Sequence, residues 1–396
     1  ILGILAALML FGCTEPGNQH REDGNATARH PIYAKGFDIL EHSDFVEIIL
    51  YNPWDYSEIL TRYYLIGNEG VEIRGHLLCE FYDSVDGVCK TEGVNTPDDG
   101  LRIVTPVDEV AITSVTQIEF LNMLGELRSV NASCSPELIY NEELRRRFEE
   151  GKLESLGDAF NLNTERLIAL NSDVVFATLY NQTSAQQQLA EAIVSRIVYD
   201  NEWTEATPLA RAEWIKFVAA FYDKLDEADS IFAAIDSSYK EASKLATTIE
   251  SPKSIMLGGN YRGTWYMPSG NSYMGTLVRD AHVVYKYASD TTTGSLALNF
   301  ETVLHEFSEV DVWLNAPAKS LGEIKSMDER HALFAPYSSG EVYGFYKRLT
   351  SSGANDFWES AVAHPDVILR DLIWALYPEL TPEYEPVFLL KCETLN

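Results

Sequence analysis

One helical pattern decides how this chain can be organised. Residues 209–250 contain no glycine or proline, and their apolar residues recur every three or four positions. The second half alone, roughly 23 residues, would span ~35 Å at the usual helical rise, which is the height of a small domain. We predict one rigid helix that joins two folded units, or two separate helices broken near Lys224, where the sequence is highly charged. The apolar positions are Trp214, Phe217, Val218, Phe221, Leu225, Ala228, Phe232, Ile235, Tyr239, Ala242 and Leu245.

Predicted strands and helices alternate on both sides of this helix. "DEVAITS", "TQIEFLNMLGEL", "ERLIALNS" and "DVVFATL" precede it, and "KSIMLGG", "NSYMGTLVRDA", "FETVLHEF", "VDVWLNA" and "GEVYGFYK" follow it. Such alternation is typical of parallel sheets covered by helices. We predict an α/β fold of two lobes with mainly parallel central sheets joined by the long helix. Nearer the N-terminus, "FVEIILYNPW" and "RYYLIG" predict a β-hairpin.

The first 13 residues look like a targeting segment. Residues 1–11 are almost wholly apolar but too short to span a bilayer, and they end in Leu10-Phe11-Gly12-Cys13. This ending resembles a lipobox, so we expect residues 1–13 to be the remnant of a signal peptide and Cys13 to be lipidated. The alternative is a buried free cysteine in a core segment. Residues 14–35 are polar and predict a flexible tether.

Composition excludes several classes of function. Sixty acidic and thirty basic residues give a formal charge of −30, which disfavours nucleic acid as a partner. No second long apolar run occurs, so membrane contact is expected only through the lipid. Cys79 and Cys89 could form a disulfide or remain free, Cys134 and Cys392 could also pair, and the absence of CxxC argues against a zinc knuckle. The histidines lie far apart, so we predict no metal site.

Candidate binding residues lie in the loops after predicted strands, where ligands bind in open α/β sheets. The first unit offers neutral hydrogen-bonding groups, whereas the second offers aromatic rings and an arginine that could contact a carboxylate or phosphate. A later segment, "NDFWES", is interpreted in two ways: Asp356 caps the following helix, or Trp358 faces the ligand. The predicted ligand-binding residues are Ser114, Thr116, Gln117, Tyr180, Asn181, Tyr261, Arg262, Trp265, Tyr266 and Trp358.

Two glutamates stand at matching places in the two units. "NTERLIAL" and "NFETVLHEF" both begin with Asn-x-Glu at a helix start, and each is followed by a strand that begins with an aspartate. The helix dipole alone explains an acidic first turn. These segments are a weak internal repeat that contains Glu165 and Glu301.

Several stretches resemble one family of transport proteins. "VAITSVTQIEFLNMLGEL", "LIALNSDVVFA", "TPLARAEWIKFVAAFY", "GGNYRGTWYMPSGNSYMGTLVRDA" and "NDFWESAVAHPDVILRDLI" are similar to substrate-binding lipoproteins of ABC importers for ferric siderophores, cobalamin and haem, in a form found in Bacteroidetes. The resemblance implies a class III periplasmic binding protein, an exported, lipid-tethered monomer without cofactor or catalysis. Its expected ligand is an iron complex of the ferric siderophore type, with a corrinoid as the alternative and haem less favoured.

The resemblance also implies a partner and a division of the chain. In the family, one exposed glutamate on each lobe pairs with arginines of the permease, and here Glu165 and Glu301 occupy such positions. The expected segments are the leader at 1–13, the tether at 14–35, an N-terminal lobe with the β-hairpin at 36–225, the linker helix at 226–250 and a C-terminal lobe at 251–396.

Two other classes of function remain open. An exported glycan hydrolase would use paired carboxylates, and Glu213, Asp356 and Glu359 are the candidates. No GxSxG or HExxH motif occurs. An adhesive or structural lipoprotein would bind no small ligand, and the repeats common in such proteins are absent.

Overall fold

A computed structural model describes residues 26–67, 96–180 and 196–393, together with the short strands Phe81–Tyr82 and Cys89–Lys90. The predictions for Cys13, for Asn181 and for a bridge from Cys79 to Cys89 lie outside the described residues. Within the described part of the chain, no helix is both long enough and apolar enough to cross a membrane.

The N-terminal region forms a five-stranded sheet. Strands β1 to β4 are antiparallel in sequence order, and β7 adds to the edge of β4 in parallel. The predicted hairpin is confirmed, since β3 and β4 pair antiparallel. The strands are Thr27–Arg29 (β1), Phe37–Glu41 (β2), Val46–Asn52 (β3), Asp55–Gly67 (β4) and Leu101–Thr105 (β7), with Phe81–Tyr82 (β5) and Cys89–Lys90 (β6) as a separate pair.

Residues 27–35, which the sequence assigned to the tether, belong to the folded structure. The buried carboxylate of Glu213 accepts the backbone N–H groups of Ile32, Tyr33 and Ala34 at 2.8, 2.7 and 3.0 Å. Buried Glu205 accepts those of Lys35 and Gly36 in the same way. The polar composition predicted a tether because these partners lie about 170 to 180 positions away in the sequence.

The N-terminal lobe, which comprises the elements before the long helix, contains an all-parallel sheet of order β10-β9-β8-β13-β14. Its strands are Val110–Ile112 (β8), Val130–Ser133 (β9), Glu154–Ser155 (β10), Val174–Ala177 (β13) and Ile197–Tyr199 (β14), and Gly157–Asp158 (β11) pairs with Asn161–Leu162 (β12). Its helices are Thr116–Met123 (α1), Glu142–Glu149 (α2) and Thr164–Leu170 (α3).

Residues 208–246 form three helices, and only the last, which corresponds to the linker helix predicted at 226–250, is long. Pro208–Ala212 (α4) and Ile215–Ala220 (α5) precede Leu225–Ala246 (α6), whose 22 residues span ~33 Å. Asp223 adopts a left-handed φ of 56°, which ends α5 and redirects the chain. The structure therefore contains the break near Lys224 that the sequence left as an alternative.

The C-terminal lobe, which comprises the elements after α6, is built on parallel strands β15 and β19. Parallel bridges from Ser254 to Val284 and from Trp313 to Val342 widen this sheet on both sides. The strands are Ile255–Leu257 (β15), Asn260–Tyr261 (β16), Thr264–Pro268 (β17), Ser295–Leu298 (β18), Val312–Leu314 (β19), Tyr343–Gly344 (β20) and Leu390–Lys391 (β21), and the helices are Tyr273–Asp280 (α7), Phe300–Phe307 (α8), Leu321–Met327 (α9), Ala335–Ser339 (α10) and Pro365–Leu376 (α11).

Helix α6 packs against α11 and so ties the C-terminal lobe to the linker. Its buried residues follow helical spacing along one face, and they include Phe232, Ile235 and Tyr239. The guanidinium of Arg370 on α11 donates to the hydroxyl of Ser238 on α6 at 3.0 Å. The long helix is therefore held along its side, not only at its ends.

The two lobes repeat one local contact. Asp173, just before β13, accepts the backbone N–H groups of Asp108 and Glu109 at 2.9 and 3.0 Å, ahead of β8. Asp311, just before β19, accepts the backbone N–H of Ser254 at 2.7 Å, ahead of β15. Because each aspartate joins the starts of two adjacent parallel strands, the internal repeat seen in the sequence has a structural basis.

Replacing Glu213 by Gln tests how much the N-terminal segment contributes to the fold. An amide offers one acceptor oxygen and turns its NH₂ toward backbone donors, so we expect Glu213→Gln to lower the free energy of unfolding by about 2 kcal/mol. Exposed Glu241 gives a matched control, since Glu241→Gln should change the free energy of unfolding by less than about 0.5 kcal/mol. Urea unfolding measures both, and equal stabilities of the two variants would contradict the assignment.

Candidate functional site

A cavity of about 560 Å³ lies between the two lobes. Its lining comes from loops that follow parallel strands: Val115 follows β8, Leu138 follows β9, and Pro317 and Lys319 follow β19. In open α/β sheets, ligands bind beyond the carboxyl ends of strands, and this volume lies within the range of small-molecule sites. The cavity is therefore the candidate binding site.

Large apolar side chains from both lobes are exposed toward this cavity. Leu138 is 52% exposed, Leu349 is 37% exposed and Trp358 is 64% exposed. Large apolar side chains are normally buried in a folded protein. Three exposed ones around a single cavity therefore indicate a ligand with apolar surface. Among the predicted binding residues that the structure describes, Trp358 is the one that lines this cavity.

Trp358 is presented by a fixed local structure. The Phe357 ring beside it stacks on Phe345, with centroids 4.0 Å apart and planes inclined by 11°. The amide of Asn355 accepts the backbone N–H of Phe357 at 3.1 Å and donates to the backbone carbonyl of Phe345 at 2.8 Å. The indole therefore projects from a rigid turn and loses little freedom when it covers a ligand.

The loop after β8 contains three predicted binding residues, in two different roles. The hydroxyls of Ser114 and Thr116 lie 2.9 Å apart and are partly exposed next to Val115. Gln117 is buried, and its amide oxygen accepts the backbone N–H groups of Thr113 and Ser114. The amide oxygen of Gln117 thus shapes the loop, and the residue does not line the interlobe cavity.

Tyr180, in the loop after β13, is a packing residue in this structure. Its ring lies 5.0 Å from that of Phe160 and 5.9 Å from that of Trp203. Tyr180 does not line the interlobe cavity. Its phenol is partly buried, and burial raises the pKa of this group. The sequence placed Tyr180 in the loop after a parallel strand but did not predict its packing against Phe160 and Trp203.

The segment 261–266 contains four predicted ligand-binding residues, and strand alternation separates the last two of them. Trp265 and Tyr266 are neighbours on β17, so they point to opposite faces of the sheet. Trp265 is fully buried among aromatic rings, including Trp313, and its indole N–H donates to the carbonyl of Leu257 at 2.8 Å. The prediction that Trp265 contacts ligand is therefore wrong.

The other three candidates of that segment are exposed. Tyr261 ends β16, and Arg262 lies in the turn that follows, with its guanidinium 5.1 Å from the centre of the Tyr261 ring. Tyr266 lies on β17. Close approach positions this hairpin beside the cavity: a Cβ on Gly259 would lie 2.6 Å from a side-chain atom of Pro317. The side chains of Tyr261, Arg262 and Tyr266 do not line the cavity.

Most of the described lining residues were not predicted from the sequence, and three of them show why. Lys319 directly follows the β19 loop, so the strand-end rule could have found it. Leu138 follows β9, whose sequence "VNAS" contains only two apolar residues and gave no strand signal. Tyr346 follows β20, which the pattern predicted as a longer strand.

A second cavity, of about 430 Å³, is polar and adjoins the contact between the lobes. The Glu359 carboxylate of the C-terminal lobe accepts the backbone N–H groups of Tyr140 and Asn141 in the N-terminal lobe. His364 Nε2 lies 2.8 Å from Glu119 Oε1, also across the boundary. Charge-assisted hydrogen bonds thus join the two lobes beside the candidate site.

Asp356 has a different role from the predicted helix cap. Its carboxylate lies 2.7 Å from Arg348 Nε. The residue that caps this turn is Asn355, and α11 begins only after His364, whose side chain makes no capping hydrogen bond. Asp356 is therefore one half of an ion pair at the polar cavity.

The carboxylates considered for a hydrolase are all engaged in structural contacts. Glu213 binds the N-terminal segment, Glu359 binds the backbone of the opposite lobe, and Asp356 pairs with Arg348. None of the three lines the 560 Å³ cavity. These three residues therefore do not provide the pair of carboxylates that a glycosidase needs on either side of a bond in that cavity.

The two predicted docking glutamates lie at equivalent places. Glu165 and Glu301 occupy the first turns of α3 and α8, and both are exposed. Asn163 and Asn299 cap these helices by accepting the backbone N–H three residues later. Glu301 additionally pairs with Arg330 at 2.9 Å.

The thiols and histidines of the described residues show no metal site. No group of three or more metal-binding side chains occurs within the described ranges. Cys134 and Cys392 are free and buried, and burial raises the pKa of each thiol to about 12. They are therefore unreactive core residues and not partners in a disulfide.

Comparisons with known proteins place this geometry among transport proteins. A family profile described as periplasmic binding protein matches residues 110–330, more than half of the chain. An uncharacterized lipoprotein of Methanocaldococcus jannaschii is 26% identical over 312 residues, which cover 75% of this chain and 72% of that protein.

Solved structures agree on the fold. A periplasmic heme-binding protein from Pseudomonas aeruginosa matches with a TM-score of 0.54 and 14% identity, over 73% of this chain and 99% of that one. The triscatecholate siderophore-binding protein FeuA from Bacillus subtilis, in complex with ferri-bacillibactin, matches with a TM-score of 0.52 and 13% identity, over 72% and 98%. The predicted two-lobed α/β fold is thus confirmed.

The interlobe contact of Glu359 predicts a pH dependence. Burial raises the pKa of this carboxyl from its ordinary value of 4.5 to about 7. The folded state therefore holds a proton that the unfolded state has lost, so the stabilisation from this group is complete below pH 4.5 and is lost as the pH rises through 7. It amounts to about 3 kcal/mol at most.

The measurement is urea unfolding at pH 5 and pH 7.5. The wild-type protein should have a higher free energy of unfolding than Glu359→Gln at pH 5, and this difference should shrink at pH 7.5. The difference between the wild-type protein and Glu241→Gln should stay constant. An unchanged difference for Glu359→Gln would contradict a raised pKa.

Proposed function

The chain belongs to the periplasmic binding protein family, and from that premise we propose that it captures an iron complex of the ferric siderophore type for an ABC importer. The observation that carries the proposal is the interlobe cavity with its exposed Trp358. Loops from both lobes line it, so a bound ligand would touch both and favour one relative position of the lobes. The importer would recognise that liganded shape.

Two kinds of similar protein support an iron-containing cargo. The Bacillus subtilis protein binds a ferric siderophore, and the Pseudomonas aeruginosa protein binds heme. A corrinoid is the alternative cargo for this chain, because exposed apolar side chains would also suit a large chelate ring. Haem is less favoured, since among the described residues no histidine lines the 560 Å³ cavity, and Tyr346 is the one lining side chain of a usual axial-ligand type.

We also propose that the protein performs no chemistry of its own and is tethered through Cys13. The structural engagement of Glu213, Asp356 and Glu359 supports a binding role without catalysis. The Methanocaldococcus jannaschii relative is described as a lipoprotein, which supports the tether. The proposed partner is the importer's permease, and the proposed state is an exported monomer.

Titration of the purified protein tests the cargo. We expect tight, saturable quenching of tryptophan fluorescence by a ferric siderophore, and a loss of affinity of at least ~10-fold in Trp358→Ala, because an aromatic side chain in a binding pocket often dominates affinity.

Trp54 provides the matched control for this titration. It is 47% exposed on the turn between β3 and β4 and does not line the interlobe cavity. Trp54→Ala should bind with unchanged affinity. If no siderophore, corrinoid or haemin quenches the wild-type fluorescence, the proposed function is refuted.

Charge reversal tests the proposed docking residues. The double variant Glu165→Lys/Glu301→Lys should abolish uptake in cells while ligand affinity stays within about 2-fold, because both side chains are exposed and lie outside the cavity lining. The control is Glu241→Lys, an exposed reversal on the linker helix. Normal uptake by the double variant would reject the docking role, and loss of ligand affinity would assign these residues to the site instead.

A further inference from the structure

We propose that the interlobe cavity selects an uncharged chelate with an apolar rim, of the ferric trihydroxamate kind, and discriminates against trianionic tris-catecholate complexes. The inference rests on the proposed function and specifies its substrate class. It follows from the charges that line the cavity and from those held away from it.

The charged side chains in the cavity lining cancel each other. Among the described lining residues the charged ones are Lys319 and Glu323, whose Nζ and Oε1 atoms lie 3.8 Å apart. The Glu323 carboxylate also accepts the backbone N–H of Lys319 at 3.3 Å, so it stays beside the ammonium group. A ligand in this cavity therefore meets a net charge near zero at this edge.

Two arginines of the polar cavity and the arginine of the 260–268 hairpin make contacts of their own. Arg348 belongs to the polar cavity, where it pairs with Asp356 at 2.7 Å and lies 5.2 Å from the centre of the Tyr140 ring. Arg145 donates to the carbonyl of Tyr140 at 3.1 Å. Arg262 stands at the hairpin tip against the Tyr261 ring. None of these three guanidinium groups lines the interlobe cavity.

An anionic ligand would consequently be poorly compensated. A trianion that enters a cleft loses hydration, and without paired cations this loss opposes binding. The formal charge of −30 on the whole protein adds a repulsive field during approach. An uncharged complex meets neither cost.

The remaining lining fits the surface of an uncharged complex. Trp358, Leu138 and Leu349 offer exposed apolar area from both lobes, and Asn355 supplies an amide at the same wall. Apolar contact would provide affinity, and the few polar groups would orient the ligand.

The test compares chelates of different charge under the same conditions. Purified protein is titrated by tryptophan fluorescence with ferrichrome, which is uncharged, and with ferric enterobactin, a trianion, at low and at high salt. We expect ferrichrome to bind at least ~100-fold more tightly, with an affinity that changes less than about 2-fold with salt, because screening acts on charged pairs.

A variant examines the lining charges directly. Glu323→Gln leaves Lys319 without its partner, so affinity for ferric enterobactin should rise several-fold and become salt-sensitive. Wild-type binding of ferric enterobactin as tight as that of ferrichrome overturns the inference. If that binding is lost in Arg262→Gln, the hairpin arginine supplies the missing charge.

Failure of the inference and failure of the proposed function are distinguishable. Binding of the trianion overturns the charge selectivity alone. If tryptophan fluorescence is quenched by none of ferrichrome, ferric enterobactin, cyanocobalamin and haemin, the proposed function is overturned, and the charge selectivity with it. Tight binding of cyanocobalamin alone supports selection of an uncharged ligand but replaces the iron complex by a corrinoid.

Discussion

Buried carboxylates that accept backbone N–H groups from distant segments hold this molecule together. Glu213 binds the N-terminal segment, Glu359 joins the lobes, and Asp371 on α11 accepts the N–H groups of three consecutive residues, Val387 to Leu389. Each carboxylate satisfies irregular backbone that no strand or helix would satisfy, and each such hydrogen bond is stronger than one between neutral groups. Part of the acidic excess therefore serves inside the fold and not on its surface.

These contacts also determine where the binding site forms. The turn that presents Trp358 is adjacent in sequence to Glu359, which is fixed to the opposite lobe through Tyr140 and Asn141. Leu138, on the facing wall of the cavity, is two residues from Tyr140. One polar contact thus sets the spacing of the two apolar walls. A change in the position of the lobes would strain this contact, so a ligand that moved the lobes would act against these hydrogen bonds.

The sequence predicted regular elements well because their signals are local. Helix α8, Phe300–Phe307, coincides with the segment identified from its spacing, and family membership was recognised from ordered motifs. Predictions failed where a distant partner decides. Residues 27–35 lacked a local signal because Glu213 lies far along the chain, and Trp265 was misassigned although strand alternation separates it from Tyr266.

The distribution of charge reconciles a strongly acidic protein with an uncharged binding cavity. At physiological salt the field of surface charges is screened within roughly 8 Å, so the cavity's own lining governs contact with the ligand. Close to the surface, within that screening length, the net charge of −30 still discourages approach of anions and favours basic surfaces. Exposed Glu165 presents that charge at a helix start of the N-terminal lobe, whereas Glu301, at the equivalent helix start of the C-terminal lobe, is paired with Arg330. An acidic exterior thus suits a basic protein partner, while the neutral cavity suits a cargo whose recognition depends on shape and apolar area.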